Sequence, residues 1–335
     1  MTRSVVTPRP PAPAEHTQPP FRVRGLVLAV VSALTFSVSG PIAKPLFDTG
    51  WSLAAVLILR MSIAGLVLSP ALVTTLRRHP GFVRRHWLSI VAFGLIPVAG
   101  CQLFYFSAMQ RMPVAVALLI QYLAPVLLVG FVWLRTRVAP SRAVLAGSVV
   151  AIVGLVLVVD IAGARFDALG TAFALAAAIC VCVYFVMSER TGPDLPPLAL
   201  AAGGLLVGAA AIGVMSLIGF LPFEAPLVTG AGAIAIDGLL PLLVIGVCTA
   251  AGYSLGVIAV PMIGSRLASF VGLSEVLFAL MFAWILLAEA PAPIQFAGGA
   301  LILAGVVLVR LDGRAAPVVS GPAEPLPREV GPGIR

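Results

Sequence analysis

The chain has 335 residues, of which 60% are hydrophobic and only 10% charged, with a mean hydropathy of +1.11. No soluble domain of this length has such a composition, so it implies an integral membrane protein and excludes a soluble enzyme or binding module. The net charge of +8 does not point to nucleic acid, because the basic residues are scattered over short loops and tails.

Residues 1–24 are Pro-rich and polar, with no apolar core followed by a small-residue cleavage site. They read as a disordered cytoplasmic tail rather than a signal peptide, and residues 311–335 read the same way. Between the tails, apolar stretches of about 20 residues recur, the length a helix needs to cross a hydrocarbon core. Ten spans are predicted: 25–47, 51–70, 87–109, 113–134, 142–161, 168–188, 197–220, 238–260, 264–287 and 293–310. They show no period-2 alternation, which argues against a β-barrel.

The stretch from Gly264 to Arg310 has a twin 151 positions upstream, from Pro113 to Val159. Trp133 falls on Trp284, Ala139-Pro140 on Ala290-Pro291, Gly147 on Gly298 and Gly154 on Gly305. A register kept over Trp, Ala-Pro and two glycines implies an internal duplication. Five spans per half is an odd number, so the halves (25–161 and 168–310) insert with opposite orientation. The expected fold is therefore all-α and integral to the membrane, with ten transmembrane helices as two inverted five-helix repeats. Placing the N-terminus inside puts most arginines in the inner segments and only Arg111 and Arg165 in outer loops. Both termini are then cytoplasmic.

Charged and hydrogen-bonding side chains inside the spans are the candidates for function, since a charge at the bilayer centre costs about 2.5–3.5 kcal/mol on insertion scales. Span 1 ends in Ser39-Gly40-Pro41-Ile42-Ala43-Lys44-Pro45. This is either a half-helix lining a substrate path or a Pro-bent helix end with Lys44 snorkelling to the interface. Arg60 lies in the middle of span 2, where it binds an anionic substrate group or completes a structural ion pair. Gln102 and Tyr105 share a face of span 3, and span 4 carries Gln121 and Tyr122 beside a kink at Pro125. Tyr184 is on span 6, Gly204 and Gly208 form a packing pair on span 7, and Tyr253 lies between Gly252 and Gly256 on span 8.

Span 9 places Ala268, Gly272, Glu275, Ala279 and Ala283 on one face of small residues. Glu275 is about as deep as Arg60. Either Arg60 holds a carboxylate and Glu275 an ammonium, or the two pair with each other, or neither meets substrate. Glu289, at the end of this span, reads as a structural loop residue. The four cysteines (Cys101, Cys180, Cys182, Cys248) read as small packing residues. No metal-site spacing is present.

These features resemble the EamA-type transporters of the drug/metabolite transporter superfamily. The resemblance covers residues 25–310 and rests on Leu273-Ser274-Glu275-Val276, on Trp284-Ile285-Leu286-Leu287-Ala288-Glu289, and on the run ending Tyr184-Phe185-Val186-Met187-Ser188-Glu189-Arg190. Val276 stands where the family often has proline, and the first half lacks its Gly-Glu after Trp133. That absence and Ala43-Lys44-Pro45-Leu46-Phe47 resemble the threonine/homoserine exporter branch.

The resemblance implies an inner-membrane secondary transporter that exports amino acids or related metabolites by alternating access. Spans 1–4 and 6–9 would line its cavity, with 5 and 10 peripheral. No cofactor is expected, nor ATP. The partners are the bilayer and a small-molecule substrate, with a coupling proton on Glu275 a further possibility. Substrate binding is expected from Glu275, Arg60, Lys44, Gln102, Tyr105, Gln121, Tyr184 and Tyr253. Drug or nucleotide-sugar transport on the same fold is the alternative, and with four Tyr and four Trp in the chain an aromatic cavity is disfavoured. An intramembrane transferase is the remote alternative, since it needs carboxylate clusters that the spans lack.

Overall fold

The computed structural model describes residues 20–124, 126–127, 130, 133–134, 137, 139–159, 167–226, 228–229, 233–234, 236–288 and 293–311. Both tails (1–19 and 312–335), Pro125, Phe131, Arg165, Glu289 and Ala290-Pro291 lie outside the described residues. Helices account for the described elements, apart from a two-residue antiparallel pairing of Val228–Thr229 with Ala233–Ile234. Among the described residues, six helices are long and apolar enough to cross a membrane, and three shorter apolar ones accompany them.

Helix α1 spans Pro20–Asp48, starting within the stretch read as a tail. It continues through Pro41 and Pro45, which corrects the expectation of a broken half-helix there. A proline inside a helix costs about 3 kcal/mol. Close packing offsets it: α1 lies along the helix that begins at Ile236, with Gly25 against Met262 and Ile263, and Gly252 against Phe36. Helix α2 (Leu53–Arg78) starts where Ser52 Oγ accepts from the Ala55 N–H at 3.2 Å. It ends with Arg77 and Arg78 in its last turn, where cations suit the helix dipole.

Helix α3 (Phe82–Phe93) runs into a π-helical turn, Gly94–Gly100, and then α4 (Cys101–Met109). Pro97 lies inside that turn and donates no hydrogen bond, which suits the wider winding. After α5 (Val114–Gln121) come α6 (Arg142–Val159), α7 (Ala168–Glu189) and α8 (Pro197–Leu217). Asp167 caps α7, its carboxylate accepting the Gly170 N–H at 2.6 Å. That backbone bond, with Arg111 at 3.2 Å adding to it, holds this half-buried carboxyl below its usual range.

Helix α9 (Ile236–Leu287) is kinked at Gly264, whose non-helical φ of 79° and ψ of 151° divide it into two arms. This is the boundary read between spans 8 and 9. Only glycine adopts that backbone region without strain, so Gly264→Ala is expected to lower stability by about 1–3 kcal/mol. A thermal melt of the purified variant in detergent checks it; an unchanged midpoint would mean the joint relaxes freely.

Helix α10 (Pro293–Leu311) packs against α6. Gly154 lies against Gly298 and Ile302, and Gly305 against Gly147 and Ala151. The core has two main parts. The larger joins α1, α2, α3, α8 and the first arm of α9, around Leu57, Phe93, Leu205 and Ile245. The other joins α5, α7, the second arm and α10, around Ile120, Val276 and Ile302. Large apolar side chains also cover the outside: Leu217 is 88% and Trp284 61% exposed. In water that surface would aggregate, and in a bilayer it meets lipid.

Candidate functional site

A cavity of about 120 Å³ lies between the two parts of the core. On α1 its lining runs from Ala29 to Ser39, about 15 Å of helix. Residues of α1, α2, the π turn, α4, α5, α7 and both arms of α9 line it. None comes from α8, which corrects the expectation that span 7 would contribute. Helix α8 is held behind α2 and the π turn, where Gly203 meets Ile90, Gly204 meets Phe93, and Gly208 meets Val98 and Met61.

Seven of the eight side chains named from sequence line this cavity: Arg60, Gln102, Tyr105, Gln121, Tyr184, Tyr253 and Glu275. Lys44 does not; it is half-buried near the C-terminal end of α1. The small face of span 9 divides between two uses. Ala268, Gly272 and Glu275 form cavity wall, while Ala279 and Ala283 are buried in the core.

Arg60 is only 2% exposed. Its Nε and Nη2 donate to Thr249 Oγ1 at 3.0 and 2.6 Å, and Nη2 also donates to Ser39 Oγ at 3.4 Å. Both hydroxyls donate their own hydrogens to backbone carbonyls, Thr249 to Ile245 and Ser39 to Phe36, so their lone pairs are left for the guanidinium. The Phe106 ring lies under it, 4.8 Å from the guanidinium carbon to the ring centroid. Nη1 has no hydrogen-bond partner.

Glu275 is half-buried and accepts a hydrogen bond from Tyr122 Oη at 2.6 Å. No salt bridge joins it to Arg60, so the two charges line one cavity without neutralising each other. Gln102 Nε2 donates to Tyr253 Oη at 3.4 Å, and Tyr253 donates to the Pro97 carbonyl at 3.3 Å. The π turn thus brings a backbone acceptor to the cavity. The Oε1 atoms of Gln102 and Gln121 are buried without partners. A buried polar atom without a partner costs about 1–3 kcal/mol, so three such atoms around one space (Arg60 Nη1 and the two amide oxygens), with the Glu275 carboxylate beside them, describe a site built for a polar guest.

The rest of the lining is aromatic. All four tyrosines of the chain face this cavity, with Phe36, Phe106 and Phe185 beside them. Phe36, Tyr253 and Tyr184 meet edge to face, at centroid distances of 5.1 Å for Phe36–Tyr253 and 6.1 Å for Tyr184–Tyr253. This corrects the inference from composition against an aromatic cavity: the rings are few but concentrated in one place. Sequence reasoning missed Thr249, Ser39 and Phe106 as the partners of Arg60. A buried arginine in a span must find acceptors on neighbouring helices, but nothing in the sequence says which hydroxyls those are.

Among the described residues, no group of three or more His, Cys, Asp or Glu is placed to hold a metal ion. The EamA-like transporter family matches the chain twice, over residues 23–160 and 168–311. The chain belongs to the EamA-like transporter family. A relative in Salmonella typhimurium, the uncharacterized inner membrane transporter YicL, is 23% identical over 301 residues, covering 87% of this chain and 96% of that protein. A solved crystal structure, 23% identical, covers 87% of this chain and 95% of its own with a TM-score of 0.56, a likeness of fold. As an EamA-family membrane transporter, the chain has in this cavity its candidate substrate site.

Proposed function

We propose that the protein exports small zwitterions, foremost amino acids with apolar or aromatic side chains, across the inner membrane by alternating access. The observation that carries this reading is the unpaired coexistence of Arg60 and Glu275 in one cavity. A guanidinium bound only by neutral hydroxyls and a ring suits a carboxylate, and a carboxylate bound only by a phenol suits an ammonium. The aromatic lining suits an apolar side chain between them, and the two unpartnered amide oxygens suit further N–H donors.

Ten crossings in two inverted halves are part of this reading. It is supported by the matched register of the two halves and by the α6–α10 contact, in which Gly154 meets Gly298 and its counterpart Gly305 meets Gly147. The arginine distribution supports cytoplasmic termini, and the name of the Salmonella relative supports the inner membrane. The substrate class is also supported by the resemblance to the threonine/homoserine branch.

The test is inhibition of labelled phenylalanine efflux from proteoliposomes by unlabelled phenylalanine, by phenethylamine, which lacks the carboxylate, and by phenylpropionate, which lacks the ammonium. Each truncated compound is expected to bind at least about tenfold more weakly than the amino acid. The aromatic lining favours a second reading, an organic-cation exporter using Glu275 and the rings alone. Phenethylamine equal to or tighter than phenylalanine would replace the first reading by the second.

A further inference from the structure

The turn between α2 and α3 lies outside the cavity and has a chemistry of its own. We infer that its arginines form a binding site for the headgroups of anionic phospholipids, which tie the adjoining ends of α2 and α3 to the surrounding leaflet. This surface alone carries the inference, which is independent of the zwitterion reading. That the leaflet is the cytoplasmic one follows from the distribution of arginines along the chain.

Charge comes first. Residues 77–85 hold four arginines, Arg77, Arg78, Arg84 and Arg85, and all four are exposed. The chain has no Asp or Glu between Asp48 and Asp160, so α2, α3 and the turn supply no counter-charge of their own. Asp194 precedes α8, which packs on α3, yet none of the four arginines forms a salt bridge with it or with any other acid among the described residues. Arg77 and Arg78 end α2, where the helix dipole favours cations, but Arg84 and Arg85 stand in the first turn of α3, where it opposes them. Anions beside the turn relieve that cost and complement the whole patch. Arg190, at the end of α7, differs in standing beside Glu189.

The surface next to the arginines favours a phospholipid over a soluble anion. The Phe82 N–H donates to the His79 carbonyl and the Arg85 N–H to the Gly81 carbonyl, each at 3.0 Å, so the turn is held in shape. Phe82 is buried beneath it, with its ring 5.2 Å from that of His86. Going along α3, charge gives way to apolar surface. Arg84 and Leu88 are four apart on one face, and Val83 and Trp87 repeat this beside them, about 6 Å further along the axis. Trp87 is 55% and Leu88 64% exposed. Guanidinium groups at one level, then an indole and an alkyl side chain, match the order of headgroup, interface and acyl chain in a leaflet. A soluble anion would engage the arginines but leave Trp87 and Leu88 unused.

Two measurements on the full chain test this, and neither uses a transport substrate. In the first, the protein is reconstituted in phosphatidylcholine vesicles with a minor share of either phosphatidylglycerol or phosphatidylcholine carrying brominated chains, which quench a tryptophan they touch. The Trp87 signal is the difference between each protein and the same protein with Trp87→Phe. In wild type it should report phosphatidylglycerol enriched about fivefold or more over its share of the vesicle. The enrichment should vanish when Arg77→Gln, Arg78→Gln, Arg84→Gln and Arg85→Gln are combined, and persist in the four arginine-to-lysine changes, which keep the charge. Arg190→Gln should match wild type. In the second, phosphatidylglycerol added in neutral detergent should raise the thermal midpoint of wild type and not that of the fourfold glutamine variant.

Equal quenching of wild type by the two brominated lipids overturns the inference without any arginine variant having to fold, and leaves the patch to an acidic soluble partner. Enrichment that survives in the fourfold glutamine variant, or that is lost as fully in Arg190→Gln, also overturns it. A wild-type midpoint that phosphatidylglycerol does not move overturns the tie between lipid and helix ends.

Discussion

Arg60→Ala is expected to reduce transport of a carboxylate-bearing substrate such as phenylalanine by about 10- to 100-fold while leaving phenethylamine unaffected. The magnitude follows from a hydrogen bond to a charged group, about 1.5–3 kcal/mol, at tenfold per 1.4 kcal/mol. The selectivity follows from position: Arg60 is the buried cation of the lining, and Nη1 has no protein partner to satisfy it. Removing it takes away the partner of the substrate carboxylate and nothing the amine uses. Because Arg60 also fills core volume, Arg60→Lys is the companion variant. It keeps the charge but loses the planar fork that engages Thr249, Ser39 and a carboxylate together, so an intermediate loss is expected. Half-saturating concentrations for acid and amine, measured on variants that elute as monodisperse protein, decide the matter. Equal losses for both compounds would make Arg60 a structural residue and remove the carboxylate site.

Gly154→Val is expected to destabilise the protein by about 3 kcal/mol, the upper end for forcing atoms into a packed interior. A Cβ at residue 154 would lie 2.5 Å from the Gly298 carbonyl oxygen and 2.7 Å from the Ile302 nitrogen. Both are backbone atoms of a facing helix, so no side-chain rotation relieves the clash and α6 must separate from α10. Small residues permit such an approach, and its dispersion energy replaces the hydrophobic drive that lipid does not supply. Gly213→Val on α8, where a Cβ meets nothing within 4 Å, is the control and should melt near wild type. The comparison is a thermal denaturation series in one detergent. Equal midpoints for the two variants would show that the α6–α10 contact contributes little.

The cavity residues were largely legible in the sequence because the membrane penalises polar side chains. Arg60, Gln102, Tyr105, Gln121, Tyr184, Tyr253 and Glu275 could not face lipid cheaply, and all seven line the cavity. Lys44 failed the same logic because it lies near a helix end, where a long side chain reaches the interface at low cost. Proline was less informative. Pro41 and Pro45 suggested a broken helix, yet α1 continues through both, while Pro97, to which no break was assigned, lies in the π turn. A proline removes a donor wherever it stands. Whether the helix bends depends on what packs around it.

The sequence by itself determined the membrane class, the positions of most helix ends including the joint at Gly264, and the polar residues that had to be kept from lipid. Each follows from a local cost: apolar length against bilayer thickness, a glycine-only backbone conformation, or the price of a buried charge. Only the tertiary structure decided which apolar faces meet each other and which meet lipid. In water an apolar face is marked by the polar face opposite it, but in these spans both faces are apolar, so polarity does not encode orientation. For that reason the removal of α8 from the lining, the gathering of all four tyrosines in one cavity, the pairing of Arg60 with Thr249 and Ser39, and the separation of Arg60 from Glu275 became visible only in three dimensions.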